Sequence, residues 1–391
     1  MSGTLDFVWT GLPGAELDQA TALLLSTHRP GGIVLFRRNC ETAEQLAALM
    51  ADLRRVLPEA IVAIDSEGGR VDRLRDVVAP APAASVLAAS SPRLSLAAGR
   101  AVGLALAAFD IDLDLAPVVD LDRGQVGNAL DGRTFGSSPE SIVPRARAFL
   151  SGLRDAGVGG CLKHFPGLGG AGEDTHYQGS VVNLDATALI EDFLPFAALA
   201  PAAGAVMVSH AIYPALDSQE RPATISPPIF ALLRERLGDD VAALSDDLEM
   251  DALAPCGDLA ERAAACFAAG CDAVLLCKSV EELPAIEARL LAPDLAERRR
   301  ESSHRLIRLR QGLHTLRRIA ESTGALAGHS LGERYVRAQE ALAALAPSDF
   351  KVVLFPTDAV SSSMMRSSAQ TELSGAVTRR AFAQGEPLTQ G

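Results

Sequence analysis

Asp174 and His176 stand two residues apart in Gly172-Glu-Asp-Thr-His-Tyr-Gln-Gly179. An aspartate so placed can fix the tautomer of a histidine and raise its pKa, which makes the imidazole a proton donor and acceptor near neutrality. The pair follows an apolar run that closes on Lys163-His164 and then a glycine-rich stretch. A strand end, a hinge of glycines and an Asp–His couple together describe a movable proton carrier. The same letters hold Gly167-x-Gly169-x-x-Gly172, the spacing of a dinucleotide-binding turn. Such a turn must open directly into a helix aimed at the pyrophosphate. Here the third glycine runs into Glu173 and Asp174, which would repel a phosphate, with no helical apolar period behind them. The dinucleotide reading is rejected, and the glycines are expected to be the hinge of a catalytic loop.

Further chemistry-bearing residues close other apolar runs: Asp65, Asp120, Lys163 with His164, His210 and Asp246. Lysine is seldom buried without a partner, so an inward Lys163 needs an anionic or hydroxyl-rich ligand, or a salt bridge to an aspartate of the fold. Asp246 and Asp247 are adjacent, and successive strand side chains point to opposite faces, so one is expected to face the site and the other to cap the next helix. Asp65 opens Asp-Ser-Glu-Gly-Gly-Arg-Val-Asp-Arg73, a turn whose glycines would let backbone approach a ligand. Arg73 and Arg133 offer hydrogen-bond donors there, against the plainer reading of two surface arginines.

The elements that must position these groups recur in a regular order. Strand-like apolar runs occupy residues 7–11, 32–36, 61–65, 111–119, 159–165, 205–210, 241–245 and 272–277. Their hydrophobicity is continuous rather than alternating, as in a parallel sheet covered on both faces. Helical segments lie between them. Leu46, Leu49, Met50 and Leu53 follow helical spacing behind a capping pair, Thr42 and Gln45. Eight strands alternating with helices indicate an α/β fold, a (β/α)8 TIM-type barrel, whose catalytic groups belong at the strand ends. Beyond it, Leu306, Leu309, Leu313 and Leu316 make an apolar stripe among many arginines, read as a helix docked by its leucines rather than a site for an acidic partner. The domain limits expected are 1–345 for the barrel with C-terminal helices and 346–391 for a short extension. In that extension only residues 351–355 read as ordered, and the Ser-rich remainder reads as a flexible tail.

Composition bounds the function. The chain has 391 residues, 48% of them hydrophobic and 22% charged, so it can bury a large core. A net charge of −13 opposes nucleic-acid binding, which needs a basic face. The first residues lack the pattern of a secretory leader, and no apolar run reaches membrane-spanning length. Six cysteines include no Cys-x-x-Cys pair, so neither a zinc site nor another metal is expected and a reducing cytoplasm fits.

The motifs, taken in order, resemble glycoside hydrolase family 3, in particular its bacterial β-N-acetylhexosaminidases of peptidoglycan recycling. They are Gly31-Gly-Ile-Val-Leu-Phe36 with Arg38-Asn39, Asp65-x-Glu-Gly-Gly-Arg-Val71, Ala116-Pro-Val-Val-Asp120, Gly132-Arg-Thr-Phe-Gly-Ser137, Lys163-His-Phe-Pro-Gly167, Asp174-Thr-His176, Ser245-Asp-Asp-Leu248 and Ala269-Gly-Cys-Asp272. The resemblance implies Asp246 as nucleophile, His176 assisted by Asp174 as acid/base, and Asp65, Arg73, Arg133, Lys163 and His164 as the residues that hold the sugar. It implies retention of configuration through a glycosyl-aspartate, no cofactor, a small carbohydrate or muropeptide substrate, no nucleic-acid or membrane partner, and a monomer. Three departures stand out: Leu168 where the family commonly has histidine, the glycine-rich Gly169–Gly172, and Trp9-Thr10 where an aspartate is often seen. Two alternatives follow. A histidine acid/base would not repel phosphate, which permits a phosphorylase; the altered loop permits a barrel that binds amino sugars without turnover.

Overall fold

The computed structural model describes residues 5–125, 129–171, 180–326, 330–345, 350–355 and 378–383. Eight parallel strands close into a barrel, each hydrogen-bonded to its neighbours in sequence and the last to the first. They are β1 (Leu5–Gly11), β2 (Pro30–Leu35), β3 (Ile61–Ile64), β4 (Leu113–Asp114), β5 (Gly159–Phe165), β6 (Gly204–Val208), β7 (Ala242–Asp247) and β8 (Ala273–Leu276). All eight expected strands are present, including the least regular, β1. Their residues are buried almost throughout because helices cover the outer face, which is why hydrophobicity runs unbroken along them.

The fourth strand is far shorter than residues 111–119. Pro117 has no N–H for the ladder, yet the edge facing β5 continues: the amides of Cys161 and Lys163 donate to the carbonyls of Ala116 and Pro117, and Val119 donates to Lys163. The helix Ala43–Val56 buries Leu46, Leu49, Met50 and Leu53 as expected, with Thr42 accepting from the Gln45 amide at 3.1 Å. The other half of that cap differs. Gln45 Oε1 accepts from Glu41 N at 2.9 Å, and its amide group donates to the carbonyls of Asn39 and Ala15, tying the connections after β1 and β2 together.

Among the described residues one helix, Ala186–Ala203, is long and apolar enough by length and composition to cross a membrane, which amends the expectation that no segment reaches that length. Here its apolar face packs inward. Phe193 and Phe196 meet Phe165 of β5 with ring centroids 6.0 and 5.4 Å apart.

The helix Ala296–Ser322 buries Leu306, Leu309 and Leu313, and its arginines face the barrel's own carboxylates. Arg298 and Arg305 reach Asp272 at 3.1 Å alongside Arg234 at 2.6 Å, Arg310 reaches Asp6, and Arg317 reaches Asp110. The docked-helix reading holds, and the charge is used internally. In the extension, residues 350–355 form a strand as expected, but it pairs antiparallel with Thr378–Ala383, inside the stretch read as a flexible tail. A lone strand leaves its amides and carbonyls unpaired, so its order requires a second segment that composition does not announce.

Asp272 is fully buried with three guanidinium groups around it. Asp272→Ala is expected to cost about 3–5 kcal/mol in urea unfolding, the range for breaking a buried ion pair. A loss below about 1 kcal/mol would show that the arginines are satisfied by water instead.

Candidate active site

At the C-terminal mouth of the barrel, Arg73, Asp65, Lys163, Glu67 and Arg133 form a chain of ion pairs that alternates in sign. Lys163, from β5, is 2% exposed, and its ammonium lies 2.6 Å from both Asp65 Oδ1 and Glu67 Oε1. Arg133 grips the same glutamate with two bonds, 2.8 Å from Nε and 2.7 Å from Nη2. Arg73 extends the chain on the other side, 3.4 Å from Asp65 Oδ2. Arg133 Nη2 also lies 3.5 Å from His164 Nε2, and His164 Nδ1 lies 2.8 Å from Asp120 Oδ2. A carboxylate only accepts, so Nδ1 carries the proton and Nε2 is turned to Arg133.

Burial pushes the Glu67 carboxyl up, yet Lys163 and Arg133 outweigh it and hold it at about 2. Burial lowers Lys163, but Asp65 and Glu67 raise it well above its ordinary value. Asp65 is likewise driven up by burial and brought below the usual carboxylate range by Lys163 and Arg73. These groups are ionised at neutral pH, a rigid set of donors and acceptors suited to a polyhydroxylated ligand.

Of the expected site residues, Asp65, Arg73, Arg133, Lys163, His164 and Asp246 line one pocket. Asp174 and His176 lie outside the described residues. Asp120 and His210 are buried behind the pocket rather than in its lining. Asp120 accepts from the amides of His164 and Leu168, at 3.0 and 2.8 Å, and so fixes the start of the glycine-rich stretch. His210 Nε2 donates to the Asp247 carbonyl at 2.8 Å and Nδ1 meets Thr224 Oγ1 at 2.7 Å, which supports the end of β7.

Asp246 and Asp247 both line the pocket, against the expectation that alternation would separate them. The register explains it. Between β7 and β8 the pairs run Leu244↔Ala273 and Asp247↔Leu275, so β7 carries one extra residue there. The same irregularity recurs between β5 and β6, where Leu162↔Val206 is followed by Phe165↔Val208. A bulge breaks the two-residue period and re-aims side chains, which lets Lys163 with His164, and Asp246 with Asp247, share one face.

Environment separates the two aspartates. Burial raises Asp246, but His210, His164, the Asp247 amide 2.8 Å from Oδ1 and the Lys163 ammonium together bring it below its ordinary value. Asp247 is pushed by burial to about 6, with Glu249 and Asp246 adding repulsion, even though its Oδ1 accepts from the Glu249 and Cys277 amides. Asp246 is therefore the ionised nucleophile candidate, and Asp247 orders the loops on either side.

Gly68 and Gly69 have φ of +87° and +61°, and a side chain there would strike Pro82 and Ala83, so both positions need glycine for packing as well as for backbone conformation. In the described part of the catalytic stretch the glycines are packing positions rather than a hinge. A Cβ on Gly167 would lie 2.6 Å from the Asp192 side chain, one on Gly170 would lie 2.8 Å from Leu184, and one on Gly169 would strike the Leu121 carbonyl. Tyr213 Oη further holds the Gly167 carbonyl at 3.0 Å.

Glu67 is the functional residue that sequence reasoning missed. Its signal was present: a buried lysine beside an arginine needs more than one anion, and Glu67 lies two residues from Asp65. Also unassigned beforehand were Phe36, Met207 and Met250, which with Leu168 form an apolar wall of the pocket. Among the described residues no group of three or more His, Cys, Asp and Glu side chains is arranged to hold a metal ion.

Residues 3–309 match the family described as "Glycosyl hydrolase family 3 N terminal domain". The chain belongs to glycoside hydrolase family 3. It is a glycoside hydrolase. The "Beta-hexosaminidase" of Alkalilimnicola ehrlichii is 39% identical over 340 residues, covering 81% of this chain and 94% of that one. That of Chromobacterium violaceum is 38% identical over 355 residues, covering 84% and 98%. Among solved structures, NagZ from Neisseria gonorrhoeae in complex with N-trifluoroacetyl-D-glucosamine superposes with a TM-score of 0.72 at 30% identity, covering 87% of this chain and 97% of that one. A family 3 β-N-acetylglucosaminidase from Paenibacillus sp. gives 0.75 at 29% identity, covering 90% and 68%.

Glu67→Gln is expected to destabilise the family 3 barrel by about 3–5 kcal/mol near neutrality, because Lys163 and Arg133 lose their shared anion. The depressed pKa fixes the pH dependence: the ionised form contributes fully above about pH 4.5, and the contribution fades as pH falls towards about 2. The stability gap between wild type and variant, measured by urea unfolding, should narrow as pH drops below 4.5. A gap that widens in acid would contradict the assignment.

Proposed function

We propose that the protein is a retaining, exo-acting β-N-acetylglucosaminidase. The observation that carries the reading is Asp246, a carboxylate held ionised on the wall of a pocket otherwise furnished with hydroxyl-binding groups. Asp246 attacks the anomeric carbon as the bond to the leaving oxygen breaks, and His176, assisted by Asp174, protonates that oxygen. A water, deprotonated by the same histidine, then attacks the anomeric carbon and frees the aspartate. Two inversions give net retention. Asp174 and His176 enter on their spacing and on the anchoring of Leu168, a pocket residue, next to the start of their loop. Arg73, Asp65, Lys163, Arg133 and His164 hold the sugar hydroxyls.

An N-acetylated amino sugar is favoured by the names of the relatives and by the amino-sugar complex of the gonococcal structure. Asp65, Lys163 and Arg133, joined through Glu67, crowd one pocket with fixed charge, and removal of one terminal sugar at a time rests on the motif resemblance. Muropeptide fragments as the natural substrate, a cytoplasmic location and a monomeric state complete the proposal. The first rests on the motif resemblance and the second is consistent with six free cysteines.

An aryl N-acetyl-β-glucosaminide should be hydrolysed by wild type, and Asp246→Ala should lower kcat by about 10³-fold or more. Proton NMR should find the β-anomer of N-acetylglucosamine as the first product. First appearance of the α-anomer, or full activity in Asp246→Ala, would remove Asp246 from its role. N-acetylglucosamine 1-phosphate formed in phosphate buffer would mark a phosphorylase instead.

A further inference from the structure

The segment that carries Asp65, Glu67 and Arg73 is held from below by the C-terminal helix. Glu67 lies in a small hairpin, Ser66–Gly68 with Val71–Asp72, that follows β3, and Asp65 and Arg73 flank it, joined by the Arg73 amide to the Asp65 carbonyl. The hairpin stands on the strap 74–81. Asp72 accepts from the amides of Leu74 and Ala81, at 3.2 and 3.1 Å, and the Gly69 amide donates to the Ala81 carbonyl at 2.9 Å. Within the strap Leu74, Val77, Val78, Ala79 and Ala81 are buried, and the amides of Val77 and Val78 bond to the Leu74 carbonyl, so the Val77 carbonyl and the Ala79 amide need partners from outside.

Two side chains one helical turn apart on Leu331–Ala343 supply the missing partners. Gln339 Oε1 accepts from Ala79 N at 2.8 Å, and Gln339 Nε2 lies 3.2 Å from the Val77 carbonyl and 2.7 Å from Tyr335 Oη. Tyr335 Oη itself donates to the Val77 carbonyl at 2.9 Å. Both side chains are buried, at 5% and 6% exposure, and the Tyr335 ring is set edge-on to Phe109, 6.0 Å away. A side-chain amide that pairs with one N–H and one C=O of the strap does what a neighbouring strand would do. Burial makes the arrangement stringent, since losing it leaves backbone groups unpaired. The helix also lies beyond residue 309, where the family match ends.

We infer that Gln339 and Tyr335 are positioning residues for the reaction: through Val77 and Ala79 they set the placement of the hairpin that carries Glu67, the anchor of Lys163 and Arg133, between the sugar-binding Asp65 and Arg73. The inference deepens the proposed function and rests on it for what the hairpin binds. Loss of the clamp shifts the hairpin without touching Asp246, so substrate affinity suffers before the chemical step does.

The test uses the full chain with Gln339→Ala, Tyr335→Phe and Leu342→Ala. Leu342 is buried on the same helix but bonds to nothing in the strap, so it controls for loss of stability. Gln339→Ala should raise KM for the aryl N-acetyl-β-glucosaminide about tenfold or more with kcat less affected. It should also speed hydrogen exchange in peptides covering residues 66–82. Tyr335→Phe should raise KM about two- to threefold without a matching fall in Tm, and decides the matter if Gln339→Ala does not fold. Leu342→Ala should lower Tm and leave KM and that exchange near wild type. Equal KM changes in Gln339→Ala and Leu342→Ala at matched Tm, or unchanged exchange at 66–82, would overturn the clamp. If wild type does not turn over the glucosaminide, the functional reading fails, and exchange alone still decides the clamp.

Discussion

The ammonium of Lys163, buried at the barrel mouth and shared by Asp65 and Glu67, is the constraint around which the site is organised. A buried charge is tolerable only when its partners are fixed. Asp65 follows β3 directly and Glu67 sits in the hairpin after it, so the lysine binds that hairpin to β5. Glu67 in turn recruits Arg133, which approaches His164, which leans on Asp120. Removing any one member leaves a neighbour with uncompensated charge, so the pocket is stiff without a ligand. For a hydrolase that must distinguish sugar hydroxyls by direction, such stiffness is an advantage, because little has to be ordered on binding.

The same stiffness allows adjacent aspartates to differ in kind. His210, His164, the Asp247 amide and the Lys163 ammonium hold Asp246 below the usual carboxylate range, while burial pushes Asp247 to about 6 and its Oδ1 accepts from backbone amides. Two identical side chains, one peptide apart, thus become a nucleophile candidate and a structural cap. Bulges in β5 and β7 make the arrangement possible by placing consecutive residues on one face. Strands of regular pleat would have offered one member of each pair to the pocket and the other to the helices.

Much of this was legible in the chain. Unbroken apolar runs gave the strands, because helices cover the sheet from outside, and the polar residue closing each run marked the functional end of the barrel. Asp65, Arg73, Arg133, Lys163, His164 and Asp246 were all identifiable by type and place. Other parts were misread for physical reasons. The glycines at 167–170 suggest mobility by composition, whereas their use is close approach to Leu121, Leu184 and Asp192, contacts far away in sequence. His210 and Asp120 closed strands as Lys163 did, yet the chain turns them behind the pocket, where they hold backbone. The strand Thr378–Ala383 escaped notice because its partner, not its own sequence, makes it a strand.

The sequence by itself determined the strand count and the identities of most charged residues that line the pocket, since hydrophobic period and residue type are local properties. Only the tertiary structure decided which carboxylate is ionised, that Glu67 completes the lysine's partners, and that Gln339 and Tyr335 underlie the hairpin from some 260 residues away. Those outcomes depend on burial and on distances between segments remote in the chain. A pKa or a shared ion pair is a property of the assembled environment, and no spacing along the sequence encodes it.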